Sequence, residues 1–339
     1  MSRADSVAPK RPAPPTPGAY PRALPCGDHE ADAGTPETGQ LWAVVLAGGE
    51  GTRVSAFMRG AAGELVPKQY WAFESDEPPL RWALRRAAAI VPRSRILVVV
   101  AEHHRGFWSD ILADLPRENV VVQPRNRGTA AEILLPVLDI VLHRDRDARV
   151  LVLPADHHVG SEAVLRRALL AAARIVRRPS APLVLLGMVG EDCDRECGWI
   201  LPSACPSAGL RAVLSFVEKP DPETSRELAG LGALVNSFIF ASRGRTLVRL
   251  YEDALPQLLR RFVPVVLARS HQWHLRELYD EIPSHDFSRA VLERCCGSLG
   301  VLAVPPCGWS DLGTPSRLGR PLGRPGRDLA APAVATVVC

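Results

Sequence analysis

Six consecutive apolar residues, Leu41-Trp42-Ala43-Val44-Val45-Leu46, open the patterned part of the chain and run straight into glycines. A run this short, apolar on both faces, predicts a buried strand. Similar runs recur at 96–101, 120–123, 150–153 and 183–187. Between them, residues 130–143 and 162–176 carry apolar positions at helical spacing. Strands that alternate with helices predict βαβ units and a mainly parallel sheet, covered on both sides. Further strands are expected at 213–218 and 234–241, and helices at 246–261 and 288–294. Ligands of such sheets gather beyond the carboxyl ends of the strands, so the turns after each run are where chemistry is sought.

The first of these turns is Ala47-Gly48-Gly49-Glu50-Gly51-Thr52-Arg53. Glycines let successive backbone N–H groups converge on an anion and let the main chain lie against a flat base. Arg53 and Val54 stand where the dinucleotide fingerprint needs its third glycine, and no Gly-Lys-Ser/Thr follows to make a Walker loop,. A tight structural turn remains the alternative on spacing alone.

Composition sharpens the choice. Of 41 basic residues only Lys10, Lys68 and Lys219 are lysine, and asparagine is confined to Asn119, Asn126 and Asn236. A GC-rich coding bias would replace every lysine that arginine can stand in for. Lysines that survive are therefore candidates for a job needing a compact point charge rather than a planar fork. Lys68 lies in Val66-Pro67-Lys68-Gln69 and Lys219 in Phe216-Val217-Glu218-Lys219-Pro220.

Taken in order, these segments resemble the sugar-1-phosphate nucleotidyltransferase family, and most of all its mannose-1-phosphate guanylyltransferase branch. The resemblance rests on residues 46–53 with Pro67-Lys68-Gln69, on Gln123-Pro124-Arg125-Asn126-Arg127-Gly128-Thr129-Ala130, and on Leu153-Pro154-Ala155-Asp156-His157. It continues through Gly198-Trp199-Ile200, residues 216–220, Asn236-Ser237-Phe238-Ile239-Phe240 and Trp309-Ser310-Asp311-Leu312-Gly313. It implies a three-layer α/β/α nucleotide-sugar transferase fold, Rossmann-like, with a mainly parallel mixed sheet. It also implies transfer of a nucleotidyl group from a nucleoside triphosphate, GTP by the closest pattern, to a sugar 1-phosphate, with mannose 1-phosphate first.

Roles follow from the same resemblance. Arg53 would grip the leaving pyrophosphate, Lys68 would lie near the α-phosphate and Lys219 would hold the sugar phosphate. Nucleotide binding falls to Leu46, Ala47, Gly48, Gly49, Gly51, Thr52, Gln123, Asn126, Gly128 and Thr129. The sugar phosphate falls to Gly198, Glu218, Lys219 and Asn236. Asp156 and Asp311 would ligate Mg2+, or Mn2+ in its place, since a hard cation takes carboxylate, phosphate and water oxygens. The plain alternatives are a cap or loop role for either aspartate and a strand-end turn for Asn236.

The chain also departs from the family pattern. Val54-Ser55-Ala56 follows Arg53 where leucine and then a proline are usual, Trp199 replaces a common tyrosine, and Phe238 stands where glycine is frequent. The last two are expected to crowd the sugar pocket. Relatives that use dTTP, ATP or UTP remain open as alternatives, as does a catalytically silent nucleotide-sugar-binding regulatory protein. A silent protein would be expected to have lost one of Lys68, Lys219, Asp156 or Asp311. A glycosyltransferase would carry an Asp-x-Asp motif after a strand, whereas Asp145-Arg146-Asp147 precedes one.

Residues 1–40 and 319–339, rich in proline and glycine, are expected to be loose tails around a catalytic domain at 41–318,. With no apolar leader, no apolar run long enough to span a bilayer and no β-helix or cupin-like extension, the expectation is a cytoplasmic, monofunctional enzyme with reduced thiols. A formal charge of +4 spread over the chain gives no reason to expect nucleic acid as a partner,. A homo-oligomer is compatible with everything above.

Overall fold

The structure, a computed structural model, describes residues 40–51, 58, 64–72, 77–189, 196–204, 206, 209–269, 272–314 and 317. Both expected tails fall outside these residues, residue 40 excepted, as does the 54–57 departure. All described residues lie in one compact unit, Glu37–Cys339.

The parallel half is built as the alternation predicts. β1 (Leu41–Ala47) lies between β2 (Ile96–Ala101) and β4 (Arg149–Pro154), parallel to both, and β3 (Val120–Gln123) adds to the outer side of β2. The intervening helices are α1 (Pro79–Ala88), α2 (Arg105–Trp108) and α3 (Gly128–Asp139). The chain thus steps outward from β1 through β2 to β3, then returns to the other side of β1. This reversal places a topological switch point between β1 and β4, where an open α/β sheet forms its crevice.

The second half of the sheet is mixed. After α4 (Glu162–Ile175) come β5 (Leu183–Met188), β6 (Gly198–Pro202), β7 (Leu210–Glu218), α5 (Pro222–Gly230) and β8 (Leu234–Arg243). α6 (Gly244–Ala254), α7 (Pro256–Leu267), α8 (Gln272–Glu281) and β9 (Leu299–Val304) follow. The strand order is β3-β2-β1-β4-β8-β5-β9-β7-β6. β8 runs antiparallel to β4 and β5, β7 to β9, and β6 to β7, while β5 and β9 are parallel. Strands joined without a crossover helix, such as β6 and β7, can pair only in the antiparallel sense.

Side-chain alternation along β1 divides the core into two. Trp42, Val44 and Leu46 pack with α3, α6, α7 and α8, and Ala43, Val45 and Ala47 pack with α1 and α4 on the opposite face. Three layers result. The helix expected over 246–261 is two, because Pro256 has no N–H to donate and starts α7 at its first position,. The pattern at 288–294 appears as one π-helical turn, Ser288–Leu292. No described helix is long and apolar enough to cross a membrane.

Candidate active site

A cleft of about 250 Å³ opens beyond the ends of β1 and β4, at the switch point. It brings together Leu46, Ala47, Gly49, Gly51, Lys68, Thr129, Asp156 and Asp311 with Gly198, Glu218, Lys219 and Asn236 from the second half of the sheet. Gly48, Gln123, Asn126 and Gly128 are not among its lining residues. Thr52 and Arg53 lie outside the described residues.

The glycine turn is held by side chains that the sequence pattern alone does not single out. The Gln69 amide donates to the carbonyls of Ala47 (3.0 Å) and Gly49 (2.7 Å), and the Tyr70 hydroxyl donates to Ala47 (2.8 Å). From below, the Gly48 N–H donates to Glu132 Oε1 at 2.8 Å. A Cβ on Gly48 would sit 2.4 Å from Gln123 Nε2 and 2.9 Å from Glu132 Oε1, so this glycine is demanded by the protein's own packing. Gln123 in turn accepts from the Tyr279 hydroxyl at 3.2 Å. Gly49 is the opposite case, exposed, with nothing within 4 Å of where a Cβ would stand.

Asn126 and Gly128 build the start of α3. The Asn126 side-chain oxygen accepts from Gly128 N at 2.8 Å, and Gly128 adopts φ +78 so that Ala130 N can reach the His285 carbonyl at 3.0 Å. Thr129 Oγ1 accepts from Phe287 N at 2.8 Å. These residues fix the wall that Thr129 presents to the cleft.

Glu132 is the buried acid of this wall, and burial pushes its carboxyl up to about 7 from an ordinary 4.5. Between those values the folded protein keeps a proton that the unfolded chain has released, so this group's contribution to stability falls as pH rises through the window. Glu132→Gln keeps an acceptor for Gly48 and cannot ionise. Urea denaturation is expected to show a smaller loss of stability between pH 5 and pH 8 in the variant, by roughly 2 to 3 kcal/mol. An unchanged difference would mean that Glu132 is ionised in the fold.

Lys68 is the centre of the charged end. Its ammonium lies 2.7 Å from Asp156 Oδ2 and donates to the Asp311 carbonyl at 3.1 Å, joining the two loops that carry the aspartates. Those loops are also zipped by backbone bonds in both directions between His158 and Ser310, at 2.9 and 3.0 Å. Burial by itself would raise the Asp156 carboxyl, but the Lys68 ammonium holds it below the usual range. His157 is lowered to about 4 by burial and is neutral, with Nδ1 accepting from Trp309 Nε1 at 3.2 Å. Asp311 Oδ1 receives Arg317 at 2.6 Å and Gly313 N at 3.0 Å. Asp156 faces the Lys68 ammonium and Asp311 the Arg317 guanidinium, and carboxylate oxygens on adjoining loops are the donors that suit a hard dication,.

On the other side Gly198 pairs with Glu218 across β6 and β7, and a Cβ there would fall 2.6 Å from Glu218 Oε2. The missing side chain makes room for the carboxylate. Burial first, then Asp286, raises Glu218 to about 7, against the opposing charge of Lys219. Asn236 sits at a register shift between β5 and β8, where its Oδ1 accepts from Phe238 N at 3.1 Å. Trp199, expected to crowd the pocket, instead points into the core and is 2% exposed; Phe238 does line the cleft.

Backbone strain concentrates here. Lys219 (φ 49), Phe238 (φ 58) and Leu312 (φ 52) are three of the four non-glycine residues with left-handed φ among those described. Each lines the cleft or adjoins Asp311. Strain of this kind persists where surrounding contacts over-determine a functional geometry. At Phe238 the ring's edge contacts with Phe240 and Phe287 offset the cost.

Comparison with known proteins adds to this geometry. A family profile described as nucleotidyl transferase matches residues 42–320. Mannose-1-phosphate guanylyltransferase ManC of Salmonella typhimurium is 30% identical over 300 residues, 82% of this chain and 59% of the relative. Alginate biosynthesis protein AlgA of Pseudomonas aeruginosa is 26% identical over 282 residues, 80% of this chain and 56% of the relative. The chain thus spans under two thirds of the length of these curated relatives. Among solved structures, mannose-1-phosphate geranyltransferase from Thermus thermophilus superposes with a TM-score of 0.68 at 26% identity, covering 82% of this chain and 78% of the other.

Proposed function

The chain belongs to the nucleotidyl transferase family, and from that premise we propose that it joins GTP and mannose 1-phosphate to give GDP-mannose and pyrophosphate. The observation that carries this reading is one cleft in which Lys68, Asp156 and Asp311 share walls with Lys219, Glu218 and Asn236 beneath a clamped glycine turn.

The chemistry is an in-line displacement. An oxygen of the sugar phosphate forms a bond to the α-phosphorus, the bond from that phosphorus to the bridging oxygen breaks, and pyrophosphate leaves with the electron pair. The attacking phosphate is already an anion, so no general base is needed and the rate comes from holding two polyanions together. Lys68 supplies charge at the α-phosphate, Lys219 at the sugar phosphate and Arg53 at the pyrophosphate. Asp156 and Asp311 would hold a magnesium or manganese ion, which when bound neutralises phosphate charge. The base lies against the glycine turn and Thr129, whose positions Gln123, Asn126 and Gly128 secure.

Three substitutions test these contacts. Gly49→Ala meets no protein atom, so its melting temperature is expected to match wild type while the KM for nucleotide rises about tenfold, about 1.4 kcal/mol, because the methyl enters the ligand's space,. Wild-type kinetics would remove Gly49 from the nucleotide site. Lys68→Arg and Lys219→Arg retain charge, yet each is expected to lose roughly tenfold or more in kcat/KM. Lys68 should suffer more, since its side chain is 12% exposed against 39% for Lys219. Wild-type kcat/KM in both variants would contradict the point-charge role.

Specificity is tested by pyrophosphate release with GTP, ATP, UTP and dTTP, each against several sugar 1-phosphates. GTP with mannose 1-phosphate is expected to give the highest kcat/KM. A preference for dTTP or UTP would overturn the guanine assignment and leave the reaction class standing.

A further inference from the structure

Outside the cleft, one more cluster of potential ligands stands beside the glycine turn. Glu50 belongs to the turn itself, and His103 and His104 follow the end of β2. One ligand atom from each lies within 4.8 Å of the others. Glu50 Oε2 is 3.1 Å from His103 Nε2 and 3.7 Å from His104 Nε2. Atoms bound tetrahedrally at the usual zinc distances, about 2.0 to 2.1 Å, are themselves about 3.3 Å apart, which these two separations bracket.

His103 Nε2 and Glu50 Oε2 share a hydrogen bond, which leaves His104 as the member that hydrogen bonding does not account for. Its side chain is 8% exposed, and its Nδ1 is buried with no hydrogen-bond partner among the described residues. At 3.7 Å, Nε2 is too far from Glu50 for a hydrogen bond,. The protein thus buries an imidazole, fixes its ring edge-on against Tyr70 (5.8 Å) and Phe107 (6.3 Å), and satisfies it poorly by itself. Nε2, on the other side of the ring, faces Glu50 Oε2 across a gap that a shared ion can span and a direct hydrogen bond cannot,. The partly exposed His103 and Glu50 leave a path for the ion and a fourth corner for water.

We infer that Glu50, His103 and His104 form a zinc site, separate from the two aspartates of the cleft, that ties the glycine turn to the end of β2. Two imidazoles and a carboxylate suit a borderline cation, whereas magnesium prefers oxygens throughout. Because Glu50 lies between Gly49 and Gly51, both of which line the cleft, occupancy would restrain the turn.

The test uses the untagged full-length chain without nucleotide or sugar phosphate, so its outcome is independent of the proposed reaction. Zinc binding is measured by competition with a chromophoric chelator in wild type, His103→Ala and Glu50→Gln, in excess magnesium. One zinc is expected to bind wild type about a hundredfold or more tighter than either variant, since loss of a ligand costs at least as much as loss of its supporting partner. His103 is half exposed, so its variant keeps the fold. Amide hydrogen exchange at 47–51 is expected to slow on zinc addition in wild type only. Equal zinc affinity in wild type and His103→Ala, or exchange unchanged by zinc, would overturn the inference.

Discussion

Asp156→Asn is expected to lower pyrophosphate release by about a thousandfold, roughly 4 kcal/mol of transition-state stabilisation, at saturating GTP, mannose 1-phosphate and magnesium. An amide cannot supply the anionic oxygen a hard cation requires. It also replaces the carboxylate facing the Lys68 ammonium, now 2.7 Å from Asp156 Oδ2, with a neutral amide oxygen beside the Asp311 carbonyl. The variant should therefore melt lower as well, by the cost of partly unpairing a buried charge. Circular dichroism at the assay temperature separates the two effects. Folded protein with near wild-type release would remove Asp156 from the catalytic set.

The second large effect is structural. Gly128→Ala forces a side chain into φ +78, and its Cβ would lie 2.3 Å from the His285 carbonyl oxygen and 2.9 Å from Ser284 Oγ. Left-handed backbone costs a non-glycine residue about 1 to 2 kcal/mol, and the contact with a main-chain oxygen cannot be relieved by a rotamer change. A total loss of about 3 kcal/mol or more is expected, read as a lower urea midpoint with unchanged slope. Gly49→Ala is the matched control, since the same methyl meets nothing there. If both variants had wild-type midpoints, the turn at the start of α3 would not be as tightly packed as described.

What could be read from the sequence follows physical lines. Strands 96–101 and 120–123 coincide with β2 and β3 because short apolar runs bounded by polar turns have one stable use in a covered sheet,. β9 is not legible in the same way, because its partners β5 and β7 are distant in sequence. Pro256 is the residue at which 246–261 divides, and the helical periodicity that runs across it hides the break.

The site divides in the same way. Lys68, Asp156, Asp311, Lys219 and Asn236 stand out by residue type and motif order, and all five line one cleft. Glu132 does not, although a lone acid within Ala130-Ala131-Glu132-Ile133-Leu134 is the mark of a buried carboxyl with an assigned partner. Gln69 and Tyr70 carry no mark of their role, because their bonds to the glycine turn depend on tertiary contact. Trp199 is misplaced by sequence position alone, since a one-residue step along a strand reverses its face: Gly198 opens on the cleft and Trp199 on the core,.

The central claim is that this cleft joins a nucleotide to a sugar phosphate. Phosphorus NMR of one mixture, the full-length chain with GTP, mannose 1-phosphate and magnesium, tests it without coupling enzymes. The prediction is equimolar appearance of a nucleoside-diphosphate sugar and pyrophosphate, with no inorganic phosphate, and reversal when excess pyrophosphate is added. Nucleotide and sugar phosphate that remain unchanged beside folded protein, or GTP that yields only GDP and phosphate, would contradict it.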